Sequence, residues 1–262
     1  MIQLSRICTF PMKSGAILER ASADVGPRGI VGDRRWMVVD ASGRFLTART
    51  VPGMVRIAAE PVDGGLSLSM DGAQITIPTP VDGPRLSVTV WSDTVQALLA
   101  RDGGWLSSRL GQDCRLVYMD DHLRRPVDPD YALSDDITSF ADGFPILILS
   151  EGSLEDLNGR LARPVSMDHF RPNLVVSGCP AFAEDGWRRI RIGTVELALV
   201  KRCARCVLTT VDPRTGQRAA DGEPLRTLSG YRKAQRGVMF GQNALVTRAG
   251  RIAQGDEVMV LS

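Results

Sequence analysis

Two cysteines separated by two residues, Cys203-Ala-Arg-Cys206, form the most chemically loaded feature of the sequence. Thiols at that spacing serve three different chemistries. A structural zinc site needs four ligands, normally through a second Cys or His pair. Here Cys8, Cys114 and Cys179 are scattered, and His122 and His169 lie far apart, so zinc is a weak reading. A thioredoxin-like disulfide sits between a strand and a helix. A strand pattern does precede the pair, but Val207-Leu-Thr-Thr-Val-Asp-Pro213 after it reads as extended chain running into a turn. The third option is a single thiolate on a soft transition metal, with arginines beside it to hold an anionic group. The remaining three cysteines read as small buried hydrophobes, and an odd total of five argues against a disulfide framework.

The elements that must position such a site read mostly as strands. Residues 66–70 and 74–77 alternate with period two around Asp71-Gly72, a hairpin signature. Residues 35–39, 86–90, 114–119, 145–149, 173–177, 190–192, 195–199 and 258–261 also read as strands. Helical spacing is confined to two patches. Trp105, Leu106, Arg109 and Leu110 share a face that stops at Gly111, and Leu154, Leu157 and Leu161 follow a capping box read at residues 153–156. Many strands with few helices give an α+β, β-rich fold. No Gly-rich loop joins a strand to a helix, which speaks against a dinucleotide-binding domain.

The 262 residues are 44% hydrophobic and 24% charged, the balance of a folded chain rather than a disordered one. Net charge of +2 gives no global attraction to nucleic acid or to an anionic membrane, so neither is an expected partner. No run approaches the roughly 18 apolar residues of a membrane span. The first ten residues lack the basic and apolar regions of a signal peptide, and the expected location is the cytoplasm. All but three of the 32 basic side chains are arginine, a bias whose plain reading is a GC-rich coding sequence.

The run Cys203-Ala-Arg-Cys-Val-Leu-Thr-Thr-Val-Asp-Pro-Arg-Thr-Gly216, with Glu223-Pro-Leu-Arg-Thr-Leu228, Tyr231-Arg232 and Phe240-Gly-Gln242, resembles a molybdenum cofactor sulfurase C-terminal (MOSC) domain. Within that family the chain is similar to the amidoxime-reducing components and their bacterial counterparts. Upstream, Phe140-Ala-Asp-Gly-Phe-Pro145, Leu149-Ser-Glu-Gly-Ser-Leu154, Phe170-Arg-Pro-Asn173, Gly178, Glu184-Asp185 and Trp187 fit the same pattern. So do Phe10-Pro-Met-Lys-Ser14, Gly32-Asp-Arg34 and Leu46-Thr-Ala-Arg49 in the N-terminal MOSC-associated region. The resemblance spans essentially the whole chain.

It implies a β-barrel-like MOSC domain over residues 99–262 behind a β-rich N-terminal region over 1–98, with the stretch through Arg34 completing a cofactor pocket. It further implies molybdenum cofactor bound through the Cys206 sulfur, with Arg205 beside it. Lys13, Ser14, Arg34, Arg171 and Asn173 match positions that hold the pterin and its phosphate, a task suited to charged and hydroxyl donors. Asp142 is the candidate for proton delivery, with a turn-forming aspartate as the alternative. Thr209, Thr210 and Asp212-Pro213 are expected to order the cysteine loop, and Trp36, Trp91, Trp105 and Trp187 to lie in the core or at domain contacts. Ala204 departs from relatives that carry a hydroxyl there. The implied activity is two-electron reduction of small N-hydroxylated compounds. With no four-cysteine iron–sulfur spacing in the chain, electrons are expected from a separate protein. A cofactor carrier without turnover, and a sulfur-transfer or pyridoxal-phosphate protein, are the rival readings.

Overall fold

The computed structural model describes residues 1–133, 135–235 and 237–262. Its largest sheet is built from both ends of the chain. Along it run Leu18–Arg20, Gln3–Thr9, Leu174–Ser177, Ile146–Ser150, Gly237–Arg248, Val195–Arg205, Arg189–Ile192 and Val258–Val260, with Lys233–Ala234 added beside Gly237–Arg248. The path of paired strands does not close into a barrel: next to Val258–Val260, the segment 255–258 meets the start of Gln3–Thr9 through the bridge Gln3↔Glu257 and a few main-chain bonds such as Leu4 N to Asp256 O. One pairing is parallel, Ile146–Ser150 with Leu174–Ser177. The helix Glu151–Asn158 lies in the crossover between them, as a parallel pair requires. Ser22–Gly26 pairs with Gly250–Ala253, so the first thirty or so residues are woven into the C-terminal half.

A second, local assembly occupies the middle of the N-terminal half. Trp36–Val39, Arg115–Tyr118, Asp93–Ala100 and Arg85–Val90 form a four-stranded sheet, and Ala58–Val62, Gly65–Met70 and Ala73–Pro78 form a three-stranded meander. Their apolar faces share a core containing Trp36, Val38, Leu66, Leu68, Ile77 and Leu116. Val211, just after the cysteine loop, is buried in that same core. The loop is thus anchored by both assemblies.

Two details differ from the sequence reading. The helix cap is Ser150, whose hydroxyl accepts from Ser153 N, rather than Ser153. Ser153 instead donates to Glu184, a carboxylate that is 1% exposed and also takes Ser150 N and Ser150 Oγ. A buried carboxylate is tolerable here because three donors and a helix N-terminus surround it. Trp91 is not in the core: it is 46% exposed at the tip of a hairpin. Trp36 is buried as expected.

Candidate active site

Cys206 directly follows the Val195–Arg205 strand and precedes the short 3-10 turn Val207–Thr210. Thr209 Oγ1 donates to Cys206 O at 2.9 Å and Thr210 Oγ1 to Val207 O at 2.7 Å, while Asp212 Oδ1 accepts from Arg214 N and Thr215 N. These are the side-chain-to-backbone bonds expected of a threonine-rich turn. They also explain why the segment after the cysteines is a tight turn and not the extended chain its β-branched residues imply.

Cys206 opens onto a cleft of about 120 Å³, and the structure brings every sequence-predicted site residue to its wall. Lys13, Ser14 and Arg34 arrive from the N-terminal segment, although they lie far from Cys206 in sequence. The main-chain bonds Lys13 N to Trp36 O and Arg34 N to Phe10 O hold that segment in place. Arg171 caps the 3-10 turn Met167–Phe170. Ser14, Arg34 and Arg171 have φ of 65°, 48° and 53°, a left-handed backbone costly for side chains other than glycine. Three such residues around one cleft mark strain held at a site.

The cleft is cationic. Lys13, Arg34, Arg49, Arg171 and Arg205 line it, against the single carboxylate Asp142. Arg34 is satisfied by Asp33 and by Asn173 Oδ1 at 3.0 Å. Arg34 and Arg171 both stack on the buried Phe10 ring, at 4.5 and 4.1 Å. Arg171 Nη2 is enclosed and has no hydrogen-bond partner, and the same holds for Arg205 Nε. Burial, with the charge of Arg34, pushes the Arg171 guanidinium down to about 9. Buried donors without protein acceptors are rare, and their partner is ordinarily a water, an ion or a bound ligand.

Asn173, at the cleft wall, has protein partners at both ends of its carboxamide. Its carboxamide oxygen accepts from Arg34 and from Leu147 N, and its nitrogen donates to Cys8 O. It therefore splices two strands and aims Arg34. Asp142 is half-exposed and bridges Lys13 Nζ and Arg49 Nη2, each at 2.7 Å. Desolvation pushes its carboxyl up, but Lys13 and Arg49 outweigh this and hold it well below the usual carboxylate range.

Lys13 is 4% exposed and donates to Phe140 O as well as Asp142. Burial pushes its ammonium down to about 8 from the ordinary 10.5, against the opposing pull of Asp142. The unfolded chain therefore keeps this proton to higher pH than the folded one. Stability should rise with pH between about 8 and 10.5, where the unfolded state binds more protons, and gain nothing from Lys13 below that window. Urea midpoints across that range should show the rise in the native protein and not in Lys13→Met.

Arg49 carries no assigned role in the sequence reading. Its Nε donates to Cys206 Sγ at 3.1 Å, and Arg205 Nη1 donates to Cys203 Sγ at 2.9 Å, so each sulfur of the pair has its own guanidinium. The available signal was the position of Arg49 at the end of Leu46-Thr-Ala-Arg49. Arg125 was also missed. It is 2% exposed and donates to Ser139 O, Ala141 O and Asp142 O, clamping the loop that carries Asp142. Cys8 and Cys114 are buried as expected, while Cys179 is only half-buried. Among the described residues, no group of three or more His, Cys, Asp or Glu side chains converges as a metal site. No helix among them is long and apolar enough to cross a membrane.

Comparison with known proteins bears on the same residues. The MOSC domain model matches residues 135–259, and the model of the MOSC N-terminal beta barrel domain matches residues 1–113. Mitochondrial amidoxime-reducing component 1 of Mus musculus is 38% identical, over 98% of this chain and 82% of its own length. The Xenopus laevis protein of the same name is 36% identical over 97% of this chain and 81% of its own length. The human one is 35% identical over 98% and 82%. The cleft built jointly by the two matched regions is therefore set in a chain that belongs to the MOSC domain family, in its two-part form and alongside the amidoxime-reducing components.

Proposed function

We propose that the protein is a molybdenum-cofactor-dependent reductase of small N-hydroxylated compounds, fed with electrons by a separate redox protein. The observation that carries this reading is the pair of enclosed, unpartnered guanidinium nitrogens on Arg171 and Arg205, in the same cleft as the Cys206 thiol. The residues fit the cofactor. A thiol suits a soft, high-valent metal, and cations without acceptors suit an anionic, phosphate-bearing pterin. In this reading Cys206 is the metal ligand, Arg171, Arg34 and Ser14 hold the phosphate end, and Arg205 lies beside the pterin. When bound, the cofactor supplies a two-electron redox centre with a position open to substrate.

The net reaction adds two electrons and two protons to an N–OH group, breaking the N–O bond and releasing water and the N–H product. Asp142 is held ionised by two cations, so it has no proton to give near neutral pH. Its part is to align Lys13 and Arg49, and protons enter from solvent at the open side of the cleft. Lys13 pins Phe140 O and orients the Asp142 carboxylate, while Asn173 fixes Arg34. The stretch through Arg34 thereby completes the pocket from the N-terminal side.

The test combines elemental analysis and pterin extraction from native protein with turnover of an amidoxime. Molybdenum near one atom per chain is expected, with turnover on reduced methyl viologen and little on NADH or NADPH alone. A native protein lacking molybdenum overturns the reading. Metal-loaded protein whose reduced centre is not reoxidised by substrate supports the carrier function instead.

A further inference from the structure

We infer that Arg49 is a positioning residue for the Cys206 sulfur, held over it by the Trp91 indole and the Asp142 carboxylate. The inference rests on the proposed assignment of Cys206 as metal ligand.

The constraints on Arg49 come from every side. Its main-chain oxygen accepts from Arg218 Nη2 at 2.6 Å, and its amide donates to Thr47 Oγ1 at 3.2 Å. Its guanidinium lies 4.5 Å from the Trp91 ring centroid, and Nη2 reaches Asp142 Oδ2 at 2.7 Å. Nη1 reaches Thr47 Oγ1 at 3.5 Å, and Nε is aimed at Cys206 Sγ at 3.1 Å. A rigid planar fork holds a carboxylate and a sulfur at fixed angles to each other, which the freely rotating ammonium of a lysine does not.

Trp91 shows that this arrangement is held against a cost. It is the first residue of the two-residue turn between Arg85–Val90 and Asp93–Ala100, with φ of 57°, where hairpins favour glycine. It is also 46% exposed, so burial does not compensate the backbone strain. The indole packs on Phe45 at 5.1 Å and on the Arg49 guanidinium. Two residues on, Asp93 accepts from Arg125 Nε at 2.7 Å, and Arg125 grips the main chain of the Asp142 loop. The hairpin tip is thus joined to one cleft wall by two arginines, one stacked and one ion-paired. The circuit closes through Asp142, which pairs with Arg49.

The chemical consequence follows from the donor. An N–H given to a ligand sulfur fixes the direction of the lone pairs left for the metal and withdraws electron density from the sulfur. Removing it should make the metal harder to reduce.

The experiment uses molybdenum-loaded protein with Arg49→Met, Arg49→Lys and Trp91→Leu. For Arg49→Met, kcat should fall by about 10- to 100-fold with KM little changed, and the reduction potential of the bound molybdenum should move to more negative values. Arg49→Lys should fall between native and Arg49→Met. Trp91→Leu should move both quantities in the same direction by less, because the indole acts through Arg49. A second arm needs no cofactor. In cofactor-free Cys203→Ser protein, methylthiolation of Cys206, followed by mass, should shift the Trp91 emission obtained by difference against Trp91→Phe. That response should vanish when Arg49→Met is added. The inference is overturned if the emission response survives Arg49→Met, or if folded, loaded Arg49→Met keeps native potential and kcat. Should Arg49→Met fail to fold, unchanged values in Arg49→Lys and Trp91→Leu together overturn it. Native protein without molybdenum overturns the proposed function, and the emission arm still decides whether Arg49 links Trp91 to Cys206.

Discussion

Cys206→Ser should leave a folded protein with no bound molybdenum and reductase activity at background, while Cys203→Ser keeps its metal and stays within about tenfold of native turnover. The asymmetry follows from where the two sulfurs sit. Cys206 lies at the turn where the Val195–Arg205 strand ends, under Arg49, facing the cleft. Cys203 also lines the cleft but is engaged by Arg205 and lies within the strand, and a serine hydroxyl can still accept that bond. A hydroxyl at position 206 keeps the Arg49 contact but offers a hard oxygen in place of a soft sulfur. Elemental analysis with amidoxime turnover reads both variants. Equal loss in the two would mean that the pair acts as a unit, as in a sulfur-transfer or dithiol mechanism.

Arg171→Met should move stability and binding in opposite directions. In cofactor-free protein the native arginine holds an enclosed nitrogen without an acceptor, next to Arg34 and over Phe10. Replacing a half-buried cation that has an enclosed, unpartnered nitrogen by an apolar side chain of similar length should stabilise the empty protein by about 1–3 kcal/mol. For a chain of this size that is a rise of about 2–10 °C in thermal midpoint. The same change removes a charge-assisted donor from the phosphate end, and cofactor retention should fall about 100-fold. Differential scanning of the empty variant and molybdenum content of the purified variant give the two numbers. A variant that loses both stability and cofactor would show that Arg171 is mainly a packing residue. A stabilised variant that keeps its cofactor would place the phosphate elsewhere in the cleft.

How legible this was in the sequence differs from element to element. The hairpin around Asp71-Gly72 was readable because one face of it is buried and the other wet, which leaves period-two alternation in the residues. The longest strand, Gly237–Arg248, was not. It is central in its sheet and covered on both sides, so alternation is lost, and Gly241 and Gln242 break the apolar run. Gly241 is required there: with φ of 84°, a Cβ would fall 2.8 Å from Ile148 O. Gln242 is tolerated because its amide donates to Asp185. The cap at Ser150 was displaced to Ser153 because the decisive partner, Glu184, is thirty residues away in sequence. The cysteine pair and the residues from 171 to 173 could be picked out by motif. The stack of Arg49 on Trp91 and its bond to Cys206 could not be assigned, because the sulfur lies far along the chain and neither residue type announces these contacts locally.

The interleaving of the main sheet also sets the order in which the chain can acquire structure. Residues 36–119 hold a sheet and a meander whose strand pairings lie within that stretch, apart from the bridge Met12↔Trp36. The strand Gln3–Thr9, synthesised before them, pairs locally only with Leu18–Arg20, and its other partner is Leu174–Ser177. Ser22–Gly26 waits longer still, for Gly250–Ala253. Pairings this distant form slowly, because the intervening loop must close before any contact rewards it. A nascent chain therefore carries the apolar strand containing Ile7 and Cys8 with one unpaired edge for most of its synthesis, the kind of surface that chaperones recognise. The cleft inherits this timing. Lys13, Ser14 and Arg34 meet Cys206 in one cleft, so the cleft is complete only once strands from both ends of the chain have paired.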